Sequence, residues 1–296
     1  MQKQFKGLYT AIITPFNEGD QEIDHNALTE IVEEQVESNV DGIVAVGSTG
    51  ESATLTPEEH RIVVKSVIDI VDGRTTVIAG TGSNSTAEAV QYSQHAQEDG
   101  ADGVLVITPY YNKPSQKGLL AHFKSIADSI DIPVILYNIP GRTGVNIDFE
   151  TVMELSKHPM IVGVKEASGD HAQTKKIIEN TDDSFSVLSG NDDETIKLMQ
   201  MGGDGVIAVA SNIIPREMKE MVDAGLTKDW DQAARLQEKY AALLSDLFIE
   251  TNPMPIKTLM AHTGRCKQVF RLPLTDLYPE NEQKLIQTWD DFKNDL

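Results

Sequence analysis

Eight short runs of apolar, mostly β-branched residues recur along this chain at near-regular intervals: Leu8–Thr14, Gly42–Val46, Thr76–Ala79, Gly103–Thr108, Pro133–Tyr137, Ile161–Lys165, Phe185–Leu188 and Gly205–Val209. Most are continuously apolar rather than alternating. That is how strands read when both faces of a parallel sheet are covered. The segments between them carry helical spacing instead. Leu28, Ile31, Val32 and Val36 fall on one helix face, and Thr56-Pro-Glu-Glu59 supplies an N-cap, a proline at the first helical position and a capping-box glutamate. Ser85-Thr-Ala-Glu88 predicts a second capping box. Strand then helix, eight times within about 225 residues, predicts a (β/α)8 TIM barrel of the α/β class. An open doubly wound sheet is the competing arrangement.

Beyond that stretch the strands stop. Asp231–Phe248 and Glu280–Phe292 have helical spacing, interrupted by Thr251-Asn-Pro-Met-Pro-Ile256. The expected organisation is a catalytic barrel over residues 1–225 and a C-terminal helical extension over 226–296. The chain has 296 residues with 25 Lys and Arg against 46 Asp and Glu, a net charge of −21. A chain so acidic repels polyanions, so neither nucleic acid nor an anionic membrane surface is an expected partner. Cys266 is the single cysteine, which excludes an intrachain disulfide framework. The start shows no signal-peptide pattern and no run of 18 apolar residues occurs, so a cytoplasmic location is expected.

In a barrel of this kind the active site forms at the carboxyl ends of the strands. Lys165 ends an otherwise apolar run, which would place its ammonium in the barrel mouth. Desolvation lowers an amine pKa, and a free amine can attack a carbonyl to give a Schiff base; the alternative is a lysine paired with Glu166 or another carboxylate. Tyr137 closes the preceding strand, where its hydroxyl could move a proton or simply satisfy a core hydrogen bond. Gly47-Ser-Thr-Gly50 offers two hydroxyls and accessible backbone N–H groups, or is only a tight turn. Arg142 could grip a carboxylate bidentately, or pair with a surface acid. Gly80-Thr-Gly-Ser-Asn-Ser85 lacks the third glycine of a dinucleotide fingerprint. The seven histidines are scattered away from metal-ligand spacing, so no metal is expected. Asp192-Asp-Glu194 reads as a cap on the following helix.

Taken together, Gly47-Ser-Thr-Gly-Glu-Ser52, Thr108-Pro-Tyr-Tyr-Asn112, Leu136-Tyr-Asn-Ile-Pro140 with Arg142-Thr-Gly144, Gly163-Val-Lys-Glu-Ala167 and Leu188-Ser-Gly190 resemble the dihydrodipicolinate synthase family of pyruvate-dependent class I aldolases. Glu250-Thr-Asn-Pro-Met-Pro-Ile-Lys257 and Arg271-Leu-Pro-Leu-Thr275 extend the resemblance to nearly the whole chain. It implies a Schiff base between Lys165 and pyruvate, and attack of the enamine on L-aspartate 4-semialdehyde. The product belongs to lysine and diaminopimelate biosynthesis. It implies a proton relay of Tyr137, Ser48 and Tyr111, the last reaching into a neighbouring subunit. Thr49 and the Ser48 backbone would hold the pyruvate carboxylate, Arg142 would orient the semialdehyde, and the carbonyls of Gly190 and Ile207 would line the pocket. No organic cofactor is implied, because the lysine supplies the electron sink. The family's arrangement implies a homotetramer. A lysine-inhibition site would comprise Ser52, Ala53, His60, Asn84, Glu88 and Tyr110.

This chain departs from the family pattern twice. Ser48 stands where the relay residue is usually Thr, and Pro57 replaces a His of lysine-sensitive members. The same serine occurs in N-acetylneuraminate lyases, so a sialic-acid lyase or a 2-keto-3-deoxy-sugar aldolase is the alternative. A catalytically silent barrel is a third reading, against which the intact Lys, Tyr, hydroxyl and Arg set argues.

Overall fold

A computed structural model describes residues 5–295. Eight strands, β1 (Gly7–Ala11), β2 (Gly42–Ala45), β3 (Thr76–Gly80), β4 (Gly103–Ile107), β5 (Val134–Asn138), β6 (Ile161–Glu166), β7 (Ser186–Ser189) and β8 (Gly205–Ala208), form a closed barrel in chain order. Every pairing is parallel, and β8 closes on β1. Closure excludes the open sheet. Helices α1 (His25–Glu37), α2 (Pro57–Val71), α3 (Thr86–Asp99), α4 (Gln116–Ala127), the single turn α5 (Pro140–Thr143), α6 (Phe149–Leu155), α7 (His171–Asn180), α8 (Thr195–Gln200) and α9 (Pro215–Leu226) lie between and after the strands. Then come α10 (Trp230–Asp246), α11 (Met254–His262) and α12 (Pro279–Asn294). None of the described helices is long and apolar enough to cross a membrane.

Parallel pairing explains the continuous apolar runs. Side chains that alternate along each strand enter two separate buried clusters, one facing the helices and one filling the barrel. Val104, Val106, Leu136 and Val164 belong to the outer layer, whereas Tyr9, Val44, Ile78, Leu105, Ile135 and Ile207 meet inside. Each such aliphatic side chain contributes about 1.5–3 kcal/mol on burial. Strand β1 is shorter than its apolar run, because Ile12 and Ile13 leave the sheet while staying buried.

The capping expectations divide. At α2 the Thr56 hydroxyl accepts from the Glu59 N–H at 3.2 Å, and the Glu59 carboxylate accepts from the Thr56 N–H at 2.8 Å. At α3 the predicted box is absent: the Ser85 side chain caps nothing. Glu88 instead takes the hydroxyl of Ser83, which also accepts from the Ser85 N–H. A serine two residues upstream competes for the glutamate, so the motif is diverted into loop structure.

One irregularity decides the chemistry. Val134 pairs with Ile161 but Ile135 pairs with Gly163, so β6 carries an extra residue opposite β5. Ile161 faces the helices, and strict alternation would send Lys165, four residues later, the same way. The bulge inverts the phase, so that Val162 faces inward, Val164 outward, and Lys165 lies beside inward-facing Tyr137. Bulges next to active sites commonly re-aim a side chain in this manner. Gly163 suits the bulge, because a Cβ there would stand 2.6 Å from the Ser186 carbonyl oxygen.

Candidate active site

Lys165 is buried at the barrel mouth, its Nζ 4.4 Å from the centre of the Tyr137 ring. Tyr137 is its Cα partner across the β5–β6 ladder. Burial pulls the lysine pKa down to about 8; the Asp192 carboxylate opposes that shift and the Arg142 guanidinium adds to it. Glu166 is not its partner. That carboxylate faces the other side of the sheet, accepting from Asn138 Nδ2 at 3.1 Å and from the Ser168 N–H at 2.8 Å. An amine with a pKa of about 8 is free in roughly one molecule in ten at pH 7, against fewer than one in a thousand at the ordinary value. Burial also pushes the Tyr137 phenol up to about 12, so it stays protonated and keeps a hydrogen to donate.

Gly190 leaves room for the lysine. A Cβ at that position would lie 2.6 Å from the Ala167 Cβ and 3.0 Å from the Lys165 Cε. Two residues on, Asp192 is completely buried, and its carboxylate accepts from the N–H groups of Val209 at 3.0 Å and Ala210 at 2.6 Å. The expected helix cap is therefore incorrect. These strand-end amides outcompete a helix terminus, and neither Asn191 nor Glu194 makes a side-chain cap. Burial raises the Asp192 pKa to about 6, while the backbone donors and Lys165 pull it back. It is thus a counter-charge within electrostatic reach of the lysine. Its place just past the end of β7 is the sequence signal for it.

The β2–α2 loop supplies the hydroxyls. Gly50 N–H donates to the Gly47 carbonyl at 3.0 Å and Glu51 N–H to that of Ser48 at 3.2 Å, winding Gly47–Glu51 into tight turns. Asn252, before α11, holds two site residues at once. Its Nδ2 donates to Thr49 Oγ1 at 2.9 Å, and its carbonyl accepts from Arg142 Nη2 at 2.9 Å. Nothing local in the sequence singles out Asn252, because its partners lie over a hundred residues away.

These groups surround two spaces that share part of their walls. A hollow of about 50 Å³ is lined by Lys165, Tyr137, Ser48, Thr49, Arg142, Gly190 and Val209. A cavity of about 470 Å³ shares Gly47, Ser48, Leu105, Tyr137, Arg142 and Asn252 with it. A small electrophile can therefore sit against the amine, and a larger molecule can approach from the adjoining space. Ile207 lies in the barrel interior and Val209, not Ile207, lines the hollow. Tyr111 is 89% exposed with φ 72°, a left-handed conformation rare for an aromatic residue, and reaches neither space. Ser52, Ala53, His60, Glu88 and Tyr110 line the far part of the large cavity, where His60 stacks on Tyr92 at 4.3 Å; Asn84 does not line it.

The family model described as the dihydrodipicolinate synthetase family matches residues 4–291. The chain belongs to that family. It is 51% identical to the 4-hydroxy-tetrahydrodipicolinate synthase of Syntrophus aciditrophicus, over 95% of this chain and 96% of the relative. The crystal structure of dihydrodipicolinate synthase from Aquifex aeolicus is 46% identical, with a TM-score of 0.96 over 98% of both chains. The chloride-inhibited dihydrodipicolinate synthase of Acinetobacter baumannii, solved in complex with pyruvate, is 42% identical, with a TM-score of 0.95 over 97% of this chain and 99% of that one. The family's members are enzymes of the synthase class, and this chain carries the same barrel.

Proposed function

We propose that this chain condenses pyruvate with L-aspartate 4-semialdehyde through a Schiff base on Lys165, giving 4-hydroxy-tetrahydrodipicolinate for lysine and diaminopimelate synthesis. The carrying observation is the inward-facing, buried Lys165 with its pKa drawn down to about 8 beside Tyr137 and an open hollow. The free amine adds to the pyruvate ketone, and loss of water gives the imine. Loss of a methyl proton gives the enamine, whose carbon attacks the aldehyde. The amine of the product then displaces Lys165 and closes the ring. Incubation with pyruvate, borohydride reduction and digestion tests this reading: a label on any residue other than Lys165 overturns it. The names of the relatives favour the semialdehyde over sugar acids, and turnover of N-acetylneuraminate or 2-keto-3-deoxygluconate in its place would reverse that assignment.

Within this reading Thr49 and the Ser48 amide hold the pyruvate carboxylate, and Arg142 meets the semialdehyde from the shared wall of the two spaces. Gly190 borders the imine. Tyr137, Ser48 and Tyr111 of a neighbouring copy relay protons. The exposure and left-handed backbone of Tyr111 support that last role, since a side chain held outward in a disfavoured conformation is poised to complete another site. The homotetramer of the resemblance supplies the neighbour. Tyr111→Phe is expected to lower turnover on the order of tenfold or more while pyruvate still traps on Lys165. Unchanged turnover would remove Tyr111 from the relay.

The pH dependence of the first step follows from Lys165. Its amine is protonated below its folded pKa, so the rate of imine formation should rise about tenfold per unit up to a pH of about 8 and then level off. Quenching with borohydride at early times across pH 6 to 9 measures it. A rate that is flat over that range would mean the amine is not the titrating nucleophile. Glu88 and the His60–Tyr92 stack give the far cavity an acidic, aromatic lining suited to an ammonium, which supports reading it as a lysine-binding pocket. The lone free thiol of Cys266 fits a cytoplasmic setting.

A further inference from the structure

Lys257 and Glu51 form an ion pair whose two side chains are completely removed from solvent. Lys257 belongs to α11, and its Nζ lies 4.1 Å from the centre of the Phe16 ring and 5.4 Å from that of Phe270. Glu51 ends the turn that carries Ser48 and Thr49, and it adopts φ 54° in the left-handed region. Among the described residues, its other carboxylate oxygen accepts from the Arg271 N–H, at 3.5 Å. Such a pair is a poor device for stability, because desolvating two charges offsets most of their attraction and well-packed apolar residues do as well or better. What it supplies is direction: a buried carboxylate paired with an ammonium from another element, and with the Arg271 guanidinium also within electrostatic reach, fixes where its own backbone must lie.

That backbone is the catalytic loop. Asn252, five residues before Lys257, holds the Thr49 hydroxyl, so the C-terminal segment grips the turn at both ends, through a neutral hydrogen bond at Thr49 and a charge pair at Glu51. We propose that Glu51 and Lys257 are positioning residues for pyruvate, whose buried pairing holds the Ser48–Thr49 turn where its hydroxyl and amides meet the substrate carboxylate. This rests on the pyruvate reading of the site.

Three variants of the full chain test it: Glu51→Gln, Lys257→Met, and the double variant. Each is assayed for melting temperature, borohydride trapping of pyruvate on Lys165, and kcat and KM for pyruvate. All are expected to trap pyruvate at saturation, because Lys165 is untouched. The KM for pyruvate should rise about tenfold with a smaller fall in kcat, since displacing a binding turn weakens the oriented complex. The double variant leaves no lone buried charge and should regain the melting temperature lost by Lys257→Met while keeping the raised KM. A double variant with both parental melting temperature and parental KM would show a purely structural pair and end the proposal. Glu51→Gln keeps the shape and an acceptor, so it remains informative even if Lys257→Met does not fold; a parental KM in that variant overturns the proposal equally. Failure of the parent itself to trap pyruvate would sink the function reading instead.

Discussion

Replacing Lys165 by Met is expected to abolish the condensation, by at least about 10⁴-fold, and to leave a protein that is more stable than its parent. The first effect follows from deleting the amine that lines the hollow and that the proposed mechanism uses as its nucleophile, and single loss of a covalent nucleophile typically has that scale. The second follows from the burial that makes the amine reactive. With a folded pKa of about 8 against 10.5, the native state holds its ammonium against desolvation, equivalent to about 3 kcal/mol. The penalty is fully present below pH 8 and vanishes as the pH rises towards 10.5, because the unfolded chain binds the proton more tightly than the folded one. The gain in the Met variant should thus be largest near neutrality and fade above about pH 10. Loss of the cation beside Asp192 trims it. Thermal melts at pH 7 and pH 10 check the sign. A Met variant with parental turnover ends the Schiff-base mechanism, and one destabilised at pH 7 contradicts the buried-charge account.

For Tyr137→Phe, turnover should fall by roughly 10²-fold or more while pyruvate still labels Lys165. The substitution removes only the hydroxyl and retains the ring that packs 4.4 Å from the lysine Nζ. With its phenol pushed up to about 12, Tyr137 stays un-ionised, and in the proposed relay it would pass protons as donor and acceptor. The KM for pyruvate should change little, since the carboxylate contacts assigned to Thr49 and Ser48 remain. Parental kcat in this variant would show that protons reach the imine by another route.

Much of the fold is legible along the chain, and particular elements show why. Continuous apolar runs such as Gly103–Thr108 mark strands covered on both faces, and Thr56-Pro-Glu-Glu59 marks a helix start because its hydrogen bonds close within four residues. The capping box expected at Ser85 fails for a local reason, since Ser83 diverts the Glu88 carboxylate. The cap expected at Asp192 fails for a distant one: its amide partners, Val209 and Ala210, lie just past the end of the next strand, and nothing in Asp192-Asp-Glu194 announces them.

The site divides in the same way. That strands and helices alternate eight times, and that a lysine ends the sixth apolar run and a tyrosine the fifth, is already written in short stretches of chain, because strand burial and residue chemistry are local properties. Which way that lysine points is not. Its inward aim depends on one extra residue in β6, visible only against the register of β5. Folding in three dimensions likewise joins Asn252 to Thr49 and Arg142, and Lys257 to Glu51, across more than a hundred residues each. Barrel closure and the packing of the C-terminal helices bring such groups together, and desolvation in that shared interior is what turns an ordinary lysine into an amine that can react.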